Sequence, residues 1–600
     1  MTNPIPAQTI LAQTNPQSPD SFMDGAFLAL FIVVPLVVAG LCTFLPWGWL
    51  RRALSLLVPA FGAALSTWML VDIAVSEGGA ATDGTGAVYA ENVGNFLGGV
   101  AIPLAADTLT ALMILATAVV AFAANWFADA VGDLRSRFYP ALSMMLLGGA
   151  WGALLTADLF NLFVFIEVML MPSFGLIAMT GTWGRLAGAR MFIVVNLVTS
   201  LLLVSGVVMT YAVVGTTNLA ALAGAGGPRG EAGFAEGIHG THWQVVVAIG
   251  MVLLALAVKA GVTPTHTWLP RAYPSTSPAV MALFSGLHTK VAVYGILRVY
   301  MTVFEGDARY SWAIVIIMVI GMFVGGFAGL AENTMRGVLA YQMVNGIPYM
   351  LIALGFLTAN PKLVLSAALF YLIHHMVIAA SLIMAAGSIE ETYGHGRLRP
   401  LHGLLRRDPF PAAVFAAGAL AIVGFPPFSG LWGKLALVFG IAEDGSWKTW
   451  LAIGTIIITS VGALLSMIYV WREIFWGRPM NRNEADPALR VPSKFVWPSA
   501  VMALASVAIF VGAGPIFGVT NRAADNLLDT TAYVSTVLGA NQADDDLIGG
   551  PGPIGQVLDP GPSGMANLPS ADEPAGVSEV ATDNAEAEDK STEKASEGAR

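Results

Sequence analysis

The chain has 600 residues, of which 56% are hydrophobic and 11% charged, with a formal net charge of −10 and a mean hydropathy of +0.70. A soluble domain carries about 25% charged residues, so this composition excludes a soluble enzyme or binding module and indicates a polytopic membrane protein. Cys42 is the single cysteine, which excludes an internal disulfide framework.

In chain order, residues 1–22 are polar and read as disordered. Apolar runs of about 20 residues, the length that crosses a bilayer, then recur near 26–47, 53–75, 104–127, 138–157, 159–180, 190–214, 243–269, 278–301, 312–331, 337–357, 363–387, 411–442, 450–471 and 496–518, which makes about fourteen spans. No basic segment precedes the first run, and it is too long for the apolar core of a secretory signal, so it reads as a permanent span. Residues 519–600 are rich in Ala, Gly, Pro, Asp and Glu and bury too little apolar surface to offset chain entropy. An acidic, disordered tail is expected there, solvated rather than bound.

Lysines and arginines set the orientation, because short cytoplasmic loops retain positive charge. They concentrate in the odd-numbered loops, as in Arg51, Arg52, Arg135, Arg137, Arg406, Arg407, Arg490 and Lys494, while the even-numbered loops hold only Arg229, Arg309, Lys362 and Lys448. Both termini are therefore expected outside the cytoplasm. Trp126, Trp243, Trp312 and Trp450 fall near span ends and read as interfacial belts.

Two of the spans contain helix breakers: the seventh, in VKAGVTPTHTWLP around Pro264, and the twelfth, in VGFPPFSGLWGK around Pro426 and Pro427. Proline has no N–H and clashes with the carbonyl four residues back, which frees carbonyls near Ala260, Ile422 and Val423. Unwound backbone survives at membrane depth only inside protein or against a cavity, and paired interruptions point to an inverted-repeat transporter. The breaks stand five spans apart. The expected fold is thus all-α, with the first three spans in 23–137, one five-helix unit in 138–301, an inverted second unit in 312–471 and a final span in 472–518.

Each interrupted span holds a lysine, Lys259 and Lys434, and the eighth span holds Lys290. A cation at such depth costs several kcal/mol unless it meets a protein partner or water, so it marks a functional site by default. Glu167 lies eight residues into the fifth span. Desolvation favours the neutral amine and a nearby carboxylate favours the ammonium, so a Lys259 that alternately meets and leaves Glu167 would take up and release a proton. His374 and His375 lie mid-span in YLIHHMVIAASLIM, where an imidazole suits a proton relay. Adjacent helical positions diverge by about 100°, so His375 is expected to face the axis and His374 to pack.

Other polar residues have structural readings beside the functional one. His266, in the unwound part with Thr263, Thr265 and Thr267, suits either a proton path or bonds to loose backbone. Asp158 and Asp107 lie at outer span ends, as exit-path acids or solvated caps. His288 reads as packing and Arg298 as a snorkelling anchor. Glu332 and Arg336, four apart, read as a pair on one helix.

LFVFIEVMLMPSFGLIA, LAVKAGVTPTHTWLPRAY, SGLHTKVAVYGILR and GFPPFSGLWGK resemble the antiporter-like subunits shared by Mrp-type cation/proton antiporters and respiratory complex I, over about residues 100–480. In that family a helix-five Glu, a helix-seven Lys, a helix-eight Lys or His and a helix-twelve Lys or Glu carry protons along a hydrated axis. The resemblance carries these roles to Glu167, Lys259, Lys290 and Lys434. It implies the D-type member of a sodium/proton antiporter, exchanging protons for a monovalent cation beside other subunits of a hetero-oligomeric complex in a bacterial plasma membrane.

One departure is Ala379, where D-type members would carry a lysine four residues after the second histidine. A proton-pumping subunit of complex I or of a membrane-bound hydrogenase is the alternative, but its M-type member carries Glu at the place of Lys434, and an L-type member would continue into a long lateral helix. An inactive scaffold is a further alternative, opposed by the retained Glu167 and three lysines. No P-loop, dinucleotide fingerprint or cysteine cluster is present in the sequence. No cofactor, metal or nucleic acid is expected, and the chain is expected to be a transporter subunit rather than an enzyme.

Overall fold

Hydrocarbon offers backbone amides no hydrogen-bond partner, so long apolar runs must satisfy themselves as helices. A computed structural model describes residues 25–80, 88–94, 101–179, 183–227, 242–478, 480, 486 and 488–538. Its helices follow the expected spans: α1 Leu30–Phe44, α2 Gly48–Ala80, α3 Thr108–Val131, α4 Tyr139–Leu155, α5 Leu159–Ala178, α6 Trp183–Val214, α7 His242–Ala260, α8 Pro278–Phe304, α9 Ser311–Ala328, α10 Met335–Leu351, α11 Pro361–Tyr393, α12 Pro409–Val423, α13 Gly430–Ala442, α14 Trp447–Ile474 and α15 Ser493–Val511. Among the described residues, 12 helical stretches are long and apolar enough to cross a membrane, while α4, α12 and α13 are shorter apolar helices.

Three departures have local causes. The third run does not start its helix at 104, because Ile102–Ala106 pairs antiparallel with Tyr89–Val93. Asp107 then caps α3 by accepting from Thr110 N at 2.9 Å. The chain also does not lose structure at 519: α16 Ala513–Leu528 and α17 Thr531–Leu538 follow the last span. Both bury apolar side chains, Ala523, Ala524 and Leu527 in the first and Tyr533, Val534 and Val537 in the second. The expected disorder of 1–22 and of 539–600 lies outside the described residues. Thirdly, α8 is interrupted at Leu287, between Pro278–Gly286 and His288–Phe304.

The two proline breaks close alike. α7 ends at Ala260, and the N–H groups of Gly261 and Val262 both return to Ala257 O; α12 ends at Val423, and those of Gly424 and Phe425 both return to Leu420 O. Gly261 and Gly424 take φ values of +84° and +104°, a left-handed backbone that a Cβ would strain. Past the first break a 3₁₀ turn, Thr265–Thr267, leads into a short helix, Trp268–Ala272.

α8, α10 and α11 are buried on nearly all sides, whereas α6 turns Val194, Leu197, Val198, Leu201 and Val208 outward. Arg336 does not pair with Glu332 along its own helix. It instead crosses to α11, where Nε donates to Glu390 Oε2 at 2.7 Å, and its Nη1 donates to Thr276 O at 2.8 Å. Glycines set the closest helix approaches: a Cβ on Gly149 of α4 would lie 2.5 Å from Met169 N of α5, and one on Gly325 of α9 would lie 2.3 Å from Asn345 N of α10. Gly325→Ala is therefore expected to destabilise the purified protein by about 1–3 kcal/mol in detergent unfolding, whereas Gly454→Ala, with nothing within 4 Å of its new Cβ, leaves it unchanged.

Candidate functional site: a buried lysine and histidine axis

Lys259 is the last residue but one of α7 before the break and is 5% exposed. Among the described residues no direct ion pair joins it to Glu167, as the expected pair would require. Lys259 Nζ donates to Ser200 Oγ at 3.0 Å, and Ser200 Oγ donates to Glu167 Oε1, so a hydroxyl of α6 links the ammonium of α7 to the carboxylate of α5. Each oxygen in that row accepts from the group before it, which is the arrangement a proton relay needs.

On its other side Lys259 borders a cavity of about 10 Å3, lined also by Asn196, Trp268 and His288. That is space for about one water. His288 is not mere packing. Its ring touches Phe192 and Phe284, yet its Nε2 lies 2.7 Å from Ser173 Oγ and it shares the Lys259 cavity. Lys290, two residues on, is fully buried and donates to Thr289 Oγ1 at 3.1 Å.

Both α11 histidines are fully buried, and both meet polar groups. The 100° divergence holds, but the expectation that one ring merely packs does not. His375 turns toward α10, with Nε2 3.4 Å from Gln342 O. His374 turns toward the second break, with Nδ1 2.7 Å from Ser429 Oγ.

Lys434 donates to Val423 O at 2.8 Å and to Ser460 Oγ at 3.1 Å, with the Tyr349 ring 5.0 Å from its ammonium. Val423 O is one of the carbonyls freed by the prolines, since Pro427 four residues on has no N–H to give it. Tyr349 stacks on Tyr371, which touches both His374 and His375. Lys434 also lies in the wall of a crevice of about 450 Å3 between α12, α13 and α14.

The weaker candidates lie apart. Asp158 is a cap, accepting from Asn161 N at 2.7 Å and Thr217 Oγ1 at 2.5 Å. His266 sits buried in the 3₁₀ turn, its Nδ1 without a partner among the described residues, and neither residue joins the axis. Among the described residues no cluster of metal-ligating side chains occurs. Ser200, Ser460, Tyr349 and Tyr371 were invisible as site residues in the sequence, where nothing separates them from other helical hydroxyls and aromatics.

These features define a multi-span membrane protein with buried titratable groups at two discontinuous helices and on the helices α8 and α11. Over residues 156–459 the chain matches the family described as NADH:quinone oxidoreductase/Mrp antiporter, transmembrane, and it belongs to that family. It is 30% identical to the D-type subunit of the Na(+)/H(+) antiporter of Alkalihalophilus pseudofirmus, over 74% of this chain and 87% of that one. It is 30% identical to the corresponding Na(+)/H(+) antiporter subunit from Bacillus subtilis, over 85% and 99%. A chain of the Mrp complex from Dietzia sp. superposes with a TM-score of 0.78 at 34% identity, covering 86% of this chain and all of that one.

Ser200→Ala removes the hydroxyl between Lys259 and Glu167. Antiport by the assembled complex in membrane vesicles is expected to fall about tenfold to a hundredfold, the loss of hydrogen bonds to charged groups, while Ser200→Thr retains most of it.

Proposed function

We propose that the chain is the D-type subunit of a multisubunit Na+/H+ antiporter in a bacterial plasma membrane, translocating protons along its buried axis. Membership of the family and the likeness to named D-type antiporter subunits support the activity; the Lys259, Ser200 and Glu167 row is the observation that carries the mechanism. The proton enters near α7 and α8 and passes Lys259, Lys290, His375 and Lys434, with His288 and His374 interleaved between the lysines. Glu167 sets the charge state of Lys259 through Ser200: motion that parts the hydroxyl from either neighbour leaves the ammonium uncompensated and drives the proton onward.

The two interrupted helices belong to two five-helix units of opposite topology. The matching closures at Ala257 and Leu420 support this, as do the glycine contacts, since Gly149 and Gly325 stand at the same interval before Met169 and Asn345. Both termini lie outside the cytoplasm in this reading, which the bias of Lys and Arg among the loops supports. Other subunits of the complex flank the chain in the bilayer, and the exchanged cation is Na+, as the relatives' names indicate.

The test is Na+/H+ exchange in inverted vesicles from an antiporter-deficient host that expresses the complete complex. Glu167→Ala and Lys259→Ala are each expected to abolish nearly all exchange while the complex still assembles. Normal exchange by either variant would remove the basis of the mechanism.

A further inference from the structure

Beyond the axis, a second charged pair is buried at the Phe304 end of α8. Arg298 is 2% exposed rather than snorkelling to the surface, and its Nη2 donates to Asp107 Oδ2 at 2.6 Å. Asp107 itself is fully buried. Burying a guanidinium and a carboxylate is costly, and such a pair is weak evidence of stability by itself. The transport steps derived above do not use it.

Three observations tie the pair to Lys290 and to water. Lys290, Tyr294, Arg298 and Thr302 follow one another at four-residue steps along α8, a slowly winding polar stripe from mid-helix to its end. Tyr294 Oη bonds Thr110 Oγ1 at 2.8 Å and Leu154 O at 2.8 Å, so the stripe is braced against α3 and α4. Arg298 Nε and Nη1 and Thr302 Oγ1 are buried without a hydrogen-bond partner among the described residues. A guanidinium that leaves two of its nitrogens unmet in a dry interior would bear a heavy desolvation penalty, so these donors require water.

The last described helix covers these groups. The Tyr533 ring of α17 lies 4.8 Å from the Arg298 guanidinium carbon, and the Tyr294 ring 5.5 Å from it. Tyr533, Val534 and Val537 pack on Ala105, Ala157 and Ala220 at the rim, and Asn92 of the β-hairpin donates to Val537 O at 3.5 Å. α17 thus lies over the pair as a lid, held by a small apolar patch and one long hydrogen bond.

We propose that the space around Arg298 is a water-filled vestibule through which Lys290 exchanges protons with the aqueous phase at the Phe304 end, with the Arg298 and Asp107 pair at its neck and α17 as its cover. The inference rests on the reading that Lys290 carries protons, but its test does not require transport. In the complete complex, with Cys42→Ala removing the native thiol, Thr302→Cys places a reporter thiol in the vestibule. Its reaction with a membrane-impermeant methanethiosulfonate is followed in intact cells and in inverted vesicles, with Tyr533 intact, Tyr533→Phe or Tyr533→Ala.

Slow labelling is expected with Tyr or Phe at 533, and labelling about tenfold faster, from one face only, with Ala, once the ring over the cation is gone. A rate that Tyr533→Ala leaves unchanged from both faces overturns the proposal, as does a rate raised as much by Tyr533→Phe. Because labelling proceeds whether or not ions are exchanged, accelerated labelling alongside normal exchange by Lys259→Ala would leave the vestibule standing and remove only the proton path above it.

Discussion

An ammonium group has three donors and no acceptor, and in a hydrocarbon-length helix each must find a partner inside the protein. The rest of this structure is arranged around that requirement, met three times in different ways. Lys259 reaches a serine hydroxyl that is itself spent on a carboxylate. Lys434 takes a carbonyl, a hydroxyl and the face of a tyrosine ring. Lys290 has one threonine hydroxyl from the adjacent residue of its own helix. The compensation is therefore graded: among the described residues Lys259 and Lys290 each have a single hydroxyl partner, whereas Lys434 has two oxygens and a ring face.

The proline breaks supply part of that compensation, and they are the same backbone device used in two ways. In both, a left-handed glycine turns the chain while two successive amides return to one carbonyl. Lys434 follows its break and folds back to occupy the carbonyl that Pro427 leaves unmet. Lys259 precedes its break and turns away from it toward α6, while Trp268 Nε1 donates to Val258 O at 2.9 Å. One lysine is thus anchored on the unwound backbone itself, and the other is held only by side chains, which move more readily than backbone.

Spans, breaks and the depth of each lysine were legible because they follow from run length, proline chemistry and the cost of burying charge, all local properties of the chain. Partners were not. Thr199, Ser205 and Thr210 bond back to carbonyls four residues earlier in their own helices, as helical hydroxyls commonly do. Ser200 and Ser460 look no different in the sequence, and only the packing of α6 and α14 assigns them to lysines. Arg298 and Arg336 were misread for the same reason. A basic residue near a span end ordinarily reaches for the interface or a neighbour one turn away, whereas these two reach Asp107 and Glu390, each far away in the chain.

The adjacent histidines show how a correct geometric premise can meet the wrong surroundings. Neighbouring helical residues do point about 100° apart, and on a helix with one polar side that would consign one ring to packing. But α11 is enclosed almost all round, so it can present two polar sides at once, one to α10 and the other to the second break. His374 Nε2 and His375 Nδ1 remain buried without partners among the described residues, and a ring that lacks a fixed partner on one nitrogen can accept a proton there and yield it from the other. In the proposed path, two such rings back to back on one rigid helix, one turned to α10 and the other to the second break, serve as the junction between the α8 side and the α13 side.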